Sequence, residues 1–164
     1  MTRILGIDPG LAATGWGIIE GDGIRFRHLA HGTFKTKAGL DDGSRLLTLY
    51  KALIELIDQY KPSRGGIETL YFSKNTSSAL PVSQARGVLL LGMTEKALTV
   101  AEFTPKQIKQ AVVGTGSADK NQVQQMVRLI LKMETIPKPD HAADALAAAL
   151  CCAQYHPSSL SAIL

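Results

Sequence analysis

Cysteine is scarce in this chain, with only Cys151 and Cys152. They are adjacent in a predicted helix, where neighbouring side chains diverge, so a disulfide framework is excluded. Both are expected to serve as small buried hydrophobes in a reducing compartment. Long apolar runs are also missing: no stretch approaches the roughly 18 residues that a membrane-spanning helix needs. The opening Met1-Thr2-Arg3-Ile4-Leu5-Gly6-Ile7-Asp8 meets a carboxylate before a signal-length apolar run can form. A cytoplasmic protein with no membrane partner is expected. No internal repeat or low-complexity segment is present, and no second domain is required. Acidic charge is in deficit, with 14 Asp and Glu against 18 Lys and Arg, giving a net charge of +4 and a pI near 9.1. That balance favours polyanionic partners without identifying one.

What is present suits one soluble globular domain with a real core: 164 residues, 45% hydrophobic and 20% charged. The domain is expected over residues 1–156, with a disordered tail over 157–164. Ile4-Leu5-Gly6-Ile7 reads as a strand ending in Asp8, after which Pro9-Gly10 turns the chain. Gly15 to Glu20 and Ile24 to Phe34 follow as strands joined by the tight turn Gly21-Asp22-Gly23, so three antiparallel strands open the fold. Asp41-Asp42-Gly43-Ser44 supplies a helix cap. Leu46, Leu49, Tyr50, Leu53, Ile54 and Ile57 then recur at helical spacing until Pro62. Gly65-Gly66-Ile67-Glu68 is a short apolar strand, best placed parallel to the first because a helix has carried the chain across. It too ends in a carboxylate.

Tyr71 to Ser78 has no period and reads as an exposed loop, with Pro81 in the first turn of the next helix. Val82 to Leu98 is apolar almost all round, which predicts either a central helix or a subunit interface. Thr99 to Phe103 is a last strand, Thr104-Pro105 opens a helix to about Val113, and Ser117 is expected to cap another reaching about Met133. The class is therefore α/β, a five-stranded mixed sheet flanked by helices.

The final predicted helix begins at Pro139-Asp140-His141-Ala142-Ala143-Asp144. His141 and Asp144, three apart, share a face, as do Asp140 and Asp144, four apart. Taken alone, this stretch also reads as a capping Asp140, an Asp144 that complements the helix dipole and a surface His141. Asp8 and Glu68 change the balance. If the first and fourth strands are neighbours, both carboxylates lie at one sheet edge, where the late helix can close a cluster. Gathered carboxylates repel unless a cation neutralises them, and mostly oxygen donors favour Mg²⁺ or Mn²⁺. Room for two ions roughly 3.5 to 4 Å apart would suit in-line displacement at a phosphodiester.

The ordered set Ile4-Leu5-Gly6-Ile7-Asp8-Pro9-Gly10, Thr14-Gly15-Trp16-Gly17, Ile67-Glu68, Lys74-Asn75, Gln84-Ala85-Arg86-Gly87, Val112 to Ala118 and Ala142-Ala143-Asp144-Ala145-Leu146-Ala147 resembles the RuvC family of Holliday-junction resolvases. The resemblance covers nearly the whole chain, and the set is far more specific than any one motif. It implies an RNase H-like fold, a homodimer and Mg²⁺-dependent paired nicking of four-way DNA junctions, leaving 5′-phosphate and 3′-hydroxyl ends. It also implies RuvA and RuvB as branch-migration partners. The family's four metal-binding positions fall on Asp8, Glu68, His141 and Asp144. The third is an aspartate in many members, so His141 is a departure, with Asp140 beside it as an alternative ligand. A neutral imidazole predicts better use of Mn²⁺ than four carboxylates would show.

For DNA contact the candidates are Lys120, near a helix N-terminus that also attracts phosphate, and Lys109. Lys74 and Arg86 are wider candidates, with Lys106, Arg128 and Lys132 behind them. Tyr71 and Phe72 follow Glu68 directly, and an aromatic there would stack on an unpaired base, Tyr71 being favoured as the exposed one. The rivals are a nuclease acting on RNA–DNA hybrids, a sugar-kinase or actin-like ATPase suggested by Gly6 to Gly10 with Thr14-Gly15, and a non-enzymatic junction-binding protein. The ATPase architecture needs two such domains, and the intact Asp8, Glu68 and Asp144 speak against a pure binding module.

Overall fold

The computed structural model describes residues 1–69 and 76–155. Its strands are β1 (Thr2–Asp8), β2 (Ala13–Gly21), β3 (Phe26–Lys35), β4 (Arg64–Glu68) and β5 (Thr99–Phe103). They form one five-stranded sheet in the order β3-β2-β1-β4-β5. β1 runs antiparallel to β2 and β2 to β3, while β1, β4 and β5 are parallel neighbours. The antiparallel start and the parallel return after a helical crossover are both as the sequence predicts.

The crossover is α1 (Asp42–Tyr60), capped by Asp41, whose side chain accepts from the Ser44 N–H. It packs with α2 (Thr76–Glu95) on one face of the sheet, where Leu49, Leu53, Leu89 and Met93 meet Leu5, Ile7, Ile18 and Ile67. The other face carries α3 (Pro105–Val113), α4 (Lys120–Ile130) and α5 (Asp140–Gln154) over Ile4 and Ile19. Strand alternation divides β1 between the two cores.

Three expectations are corrected. Helix α2 starts at Thr76, so Pro81 lies inside it and not in its first turn. Nor is α2 central: Ala85, Leu89 and Met93 are buried, whereas Leu80 and Leu91 are 65% and 63% exposed. The central helix is α5, whose residues from Ala145 to Ala153 are all buried between the sheet and helices α3 and α4. The cap of α4 is Asp119, not Ser117. Asp119 and Gln122 exchange side chain to backbone bonds in a capping box, while the Ser117 hydroxyl is engaged by Thr115.

Small residues let α5 lie close to the strands. A β-carbon on Gly6 would fall 1.9 Å from the Ala145 carbonyl oxygen, and one on Gly15 would fall 1.9 Å from that of His141. Leu146 is fully buried beside Gly17 in this contact. Leu146→Ala is expected to lose about 2–5 kcal/mol in urea unfolding; a loss below about 1 kcal/mol would mean that α5 is not tightly packed there. Cys151 and Cys152 are free and buried in the same helix, and burial pushes the Cys151 thiol up to about 12, which keeps it an unreactive hydrophobe.

Candidate active site

Parallel pairing of β1 with β4 aligns Ile7 with Ile67, so the next residues, Asp8 and Glu68, emerge side by side at one sheet edge. Helix α5 starts above that edge. His141 Nδ1 lies 2.8 Å from Asp8 Oδ2. One ligand atom from each of Asp8, His141 and Asp144 falls within 4.8 Å of the others. The Glu68 carboxyl adjoins them, next to Asp8 across the β1–β4 pair and lining one cavity with Asp144. The structure thus brings together all four residues singled out in the sequence.

The electrostatics of the cluster are those of acids short of a counter-charge. Burial and the neighbouring Asp8 and Asp144 push Glu68 up to about 7. Burial also raises Asp8 and Asp144, although His141 and Lys120 oppose the effect. A divalent cation would relieve this, and three carboxylates with one imidazole form a donor set that such an ion accepts.

Asp140 is oriented differently. Its Oδ1 receives the Gln124 amide at 3.2 Å and the Lys138 ammonium at 3.2 Å, and its Oδ2 lies 3.3 Å from Lys120 Nζ. Those partners lower its pKa, Lys138 most. It is absent from the group that converges on Asp8. Neither Gln124 nor Lys138 was singled out in the sequence. The available signal was a glutamine one helical turn after Lys120, on the face that Val123 and Val127 bury.

Lys120 reaches the cluster, with its ammonium 3.7 Å from Asp144 Oδ2. Burial alone would lower its pKa, but Asp144, Asp140 and Asp8 together raise it, so it stays cationic. A cavity of about 250 Å³ beside the acids is lined by Glu68, Lys109, Lys120, Val123, Asp144 and Ala147. Both predicted lysines therefore face the cluster. Arg86 is held instead by an ion pair with Glu102. Lys106 lies against Gly116. Lys132 shares a cavity with Arg25 and Arg27 beyond the far end of α4 from Lys120. Arg45, not singled out in the sequence, lines a second cavity with Pro9, Pro81 and His141. Tyr71, Phe72 and Lys74 lie outside the described residues, as does the 157–164 tail.

The chain is similar to known proteins over nearly its whole length. The family model described as crossover junction endodeoxyribonuclease RuvC matches residues 4–152. The RuvC of Heliobacterium modesticaldum is 52% identical over 150 residues, covering 92% of this chain and 93% of that protein. That of Treponema denticola is 51% identical over 147 residues, covering 90% and 83%. Among solved structures, Thermus thermophilus RuvC in complex with a Holliday junction substrate superposes with a TM-score of 0.87 at 32% identity, covering 92% of each chain. The yeast mitochondrial resolvase Ydc2, with a TM-score of 0.64 at 14% identity, covering 93% of this chain and 79% of that one, shares the fold.

Proposed function

The chain belongs to the RuvC family of crossover junction endodeoxyribonucleases, and on that basis we propose that it resolves four-way DNA junctions with Asp8, Glu68, His141 and Asp144 as its catalytic, metal-holding residues. The observation that carries the assignment is the convergence of Asp8, His141 and Asp144, with Glu68 beside Asp8 at the end of the neighbouring strand. The unit is one RNase H-like nuclease domain over residues 1–156. Mg²⁺ is the expected ion, with Mn²⁺ as a substitute and two ions per site. Such ions supply the Lewis acidity that activates water and stabilises the departing oxygen of a phosphodiester, leaving 5′-phosphate and 3′-hydroxyl ends.

The chain's own groups do the placing. Asp8 and Glu68, fixed at the ends of two hydrogen-bonded strands, hold their carboxylates with little freedom to adjust. His141 and Asp144 descend from the rigid start of α5. Lys120 and Lys109 border the adjoining cavity, where ammonium groups attract the phosphates that flank the cut and position the strand without reading its sequence. Arg45 offers a further phosphate contact from the cavity that His141 also lines. Tyr71 and Phe72 remain the proposed stacking residues, with Lys74 and Arg86 as outer DNA contacts. A homodimer would present two sites to a twofold substrate, and the exposed Leu80 and Leu91 of α2 support such an interface. RuvA and RuvB are the proposed partners. Among the described residues no helix is long and apolar enough to cross a membrane, in keeping with the proposed cytoplasmic location.

Cleavage of a mobile four-way junction and of a linear duplex with the same arms, each with Mg²⁺, Mn²⁺ or chelator, tests the assignment. Metal-dependent paired nicks confined to the junction are expected. Junction binding without cutting in either metal would leave a binding role instead.

Protonation adds a second expectation. Glu68 titrates near 4.5 when unfolded and about 7 when folded. Between those values the unfolded chain has lost a proton that the folded chain keeps, so metal-free stability falls as pH rises from about 4.5 to about 7. Metal uptake must displace the same proton, so ion affinity strengthens through that window. Thermal unfolding at pH 5.5 and 8, with and without Mn²⁺, checks both. A larger Mn²⁺-induced stabilisation at the lower pH would contradict them.

A further inference from the structure

Two helical pairs face each other at the edge of the acid cluster. Lys120 and Gln124 project from one face of α4, Asp140 and Asp144 from one face of α5, each pair four residues apart. The Lys120 ammonium lies between the two carboxylates, 3.3 Å from Asp140 Oδ2 and 3.7 Å from Asp144 Oδ2. Only Asp144 also converges with Asp8 and His141.

We propose that Asp140 is a positioning residue that draws Lys120 away from Asp144 and so keeps the Asp144 carboxylate available to a divalent ion; this rests on the metal role proposed above.

A cation shared by two carboxylates is divided according to how firmly each is held. Asp140 is held by three donors. Gln124 is 7% exposed, so its amide is fixed on the inner face of α4, and with Lys138 it occupies Asp140 Oδ1. That leaves Oδ2 turned toward Lys120. Without the Asp140 charge, the nearest carboxylate to Lys120 is Asp144, and the ammonium competes with any metal ion for the same oxygen. The arrangement also explains how an acid beside His141 need not be a ligand: its lone pairs are committed to the nitrogen donors of Gln124, Lys138 and Lys120.

The two roles for Asp140 make opposite predictions in a double mutant. Mn²⁺ binding is measured by isothermal titration calorimetry without DNA, on wild type, Asp140→Asn, Lys120→Gln, the Lys120→Gln/Asp140→Asn pair and Asp144→Asn. Asp140→Asn is expected to weaken Mn²⁺ roughly two- to fivefold, the size of losing one partly exposed charge contact. Adding Lys120→Gln is expected to restore affinity to the wild-type level or above, because the competitor is gone. Gln124→Leu, which releases Asp140 without altering any charge, is expected to shift affinity in the same direction by a smaller factor.

Unchanged affinity in Asp140→Asn would overturn the proposal. So would a loss that Lys120→Gln does not restore, since that is the behaviour of a metal ligand. If the wild type takes up no Mn²⁺, or Asp144→Asn binds it as the wild type does, the metal role of the cluster fails, and the proposal falls with it.

Discussion

Asp144→Asn is expected to reduce junction cleavage by about a thousandfold or more, the scale on which loss of a group that organises developing charge is felt, while junction binding persists and the metal-free protein becomes more stable. The two effects have one cause. Asp144 sits where burial and Asp8 disfavour its charge, and its pKa is raised for that reason despite Lys120. Above its folded pKa the ionised side chain costs the folded state, so a neutral amide of similar shape relieves repulsion. Lys120 loses one of its two acidic neighbours in the exchange, which offsets part of the gain. Each ~1 kcal/mol of net gain raises Tm by about 2–4 °C in a chain of this size. Calorimetry in chelator, gel-shift of a four-way junction and cleavage in Mg²⁺ together read the signature. A variant that still cuts within tenfold of wild type would remove Asp144 from the site. A variant that loses both cutting and metal-free stability would mark Asp144 as a structural residue.

The second large effect lies at the contact that aims α5. Gly6→Ala is expected to destabilise the protein by about 3 kcal/mol, the upper part of the range for overpacking, because the added carbon would stand 1.9 Å from the Ala145 carbonyl oxygen and 2.6 Å from the Ala149 nitrogen. Both are backbone atoms of a helix buried along its length, so no side chain can swing aside. The helix or β1 must shift, and either movement opens the packing around Leu146 and Ile4. A Tm drop of about 6–12 °C corresponds to that cost. Gly15→Ala strikes about one turn nearer the cluster, against the His141 carbonyl. It is expected to displace His141 from Asp8 and to reduce cleavage by more than its loss of stability explains. If Gly6→Ala unfolds within about 0.5 kcal/mol of wild type, the close approach of helix to sheet is wrong.

These two expectations draw on different kinds of information. The acids of the cluster were legible in the sequence because each stands at a boundary that composition marks. Asp8 ends an apolar run before Pro9-Gly10, Glu68 ends another, and His141 with Asp144 opens an Ala-rich helix. Strand order followed from connection rules: a helix between two strands favours parallel pairing, which puts both carboxylates at one edge. The corrections have a common origin. Periodicity says that a helix has an apolar face but not which neighbour covers it, so the evenly apolar α2 looked central although the smaller residues of α5 allow closer approach to the sheet. Ser117 and Asp119 are both competent caps; the choice fell to Asp119 because Gln122 returns its bond.

The sequence by itself determined which residues carry charge, where most strands and helices begin and end to within a few residues, and that Asp8 and Glu68 each close a strand, since these follow from local chemistry and chain connection. Only the tertiary structure decided that Asp140 turns toward Gln124, Lys138 and Lys120 while His141 turns toward Asp8. The backbone of α5 places both side chains at the same helix start. Which way each points is settled by an acceptor on β1 and by donors on α4 and in the segment before α5, and their distances exist only once the chain is folded.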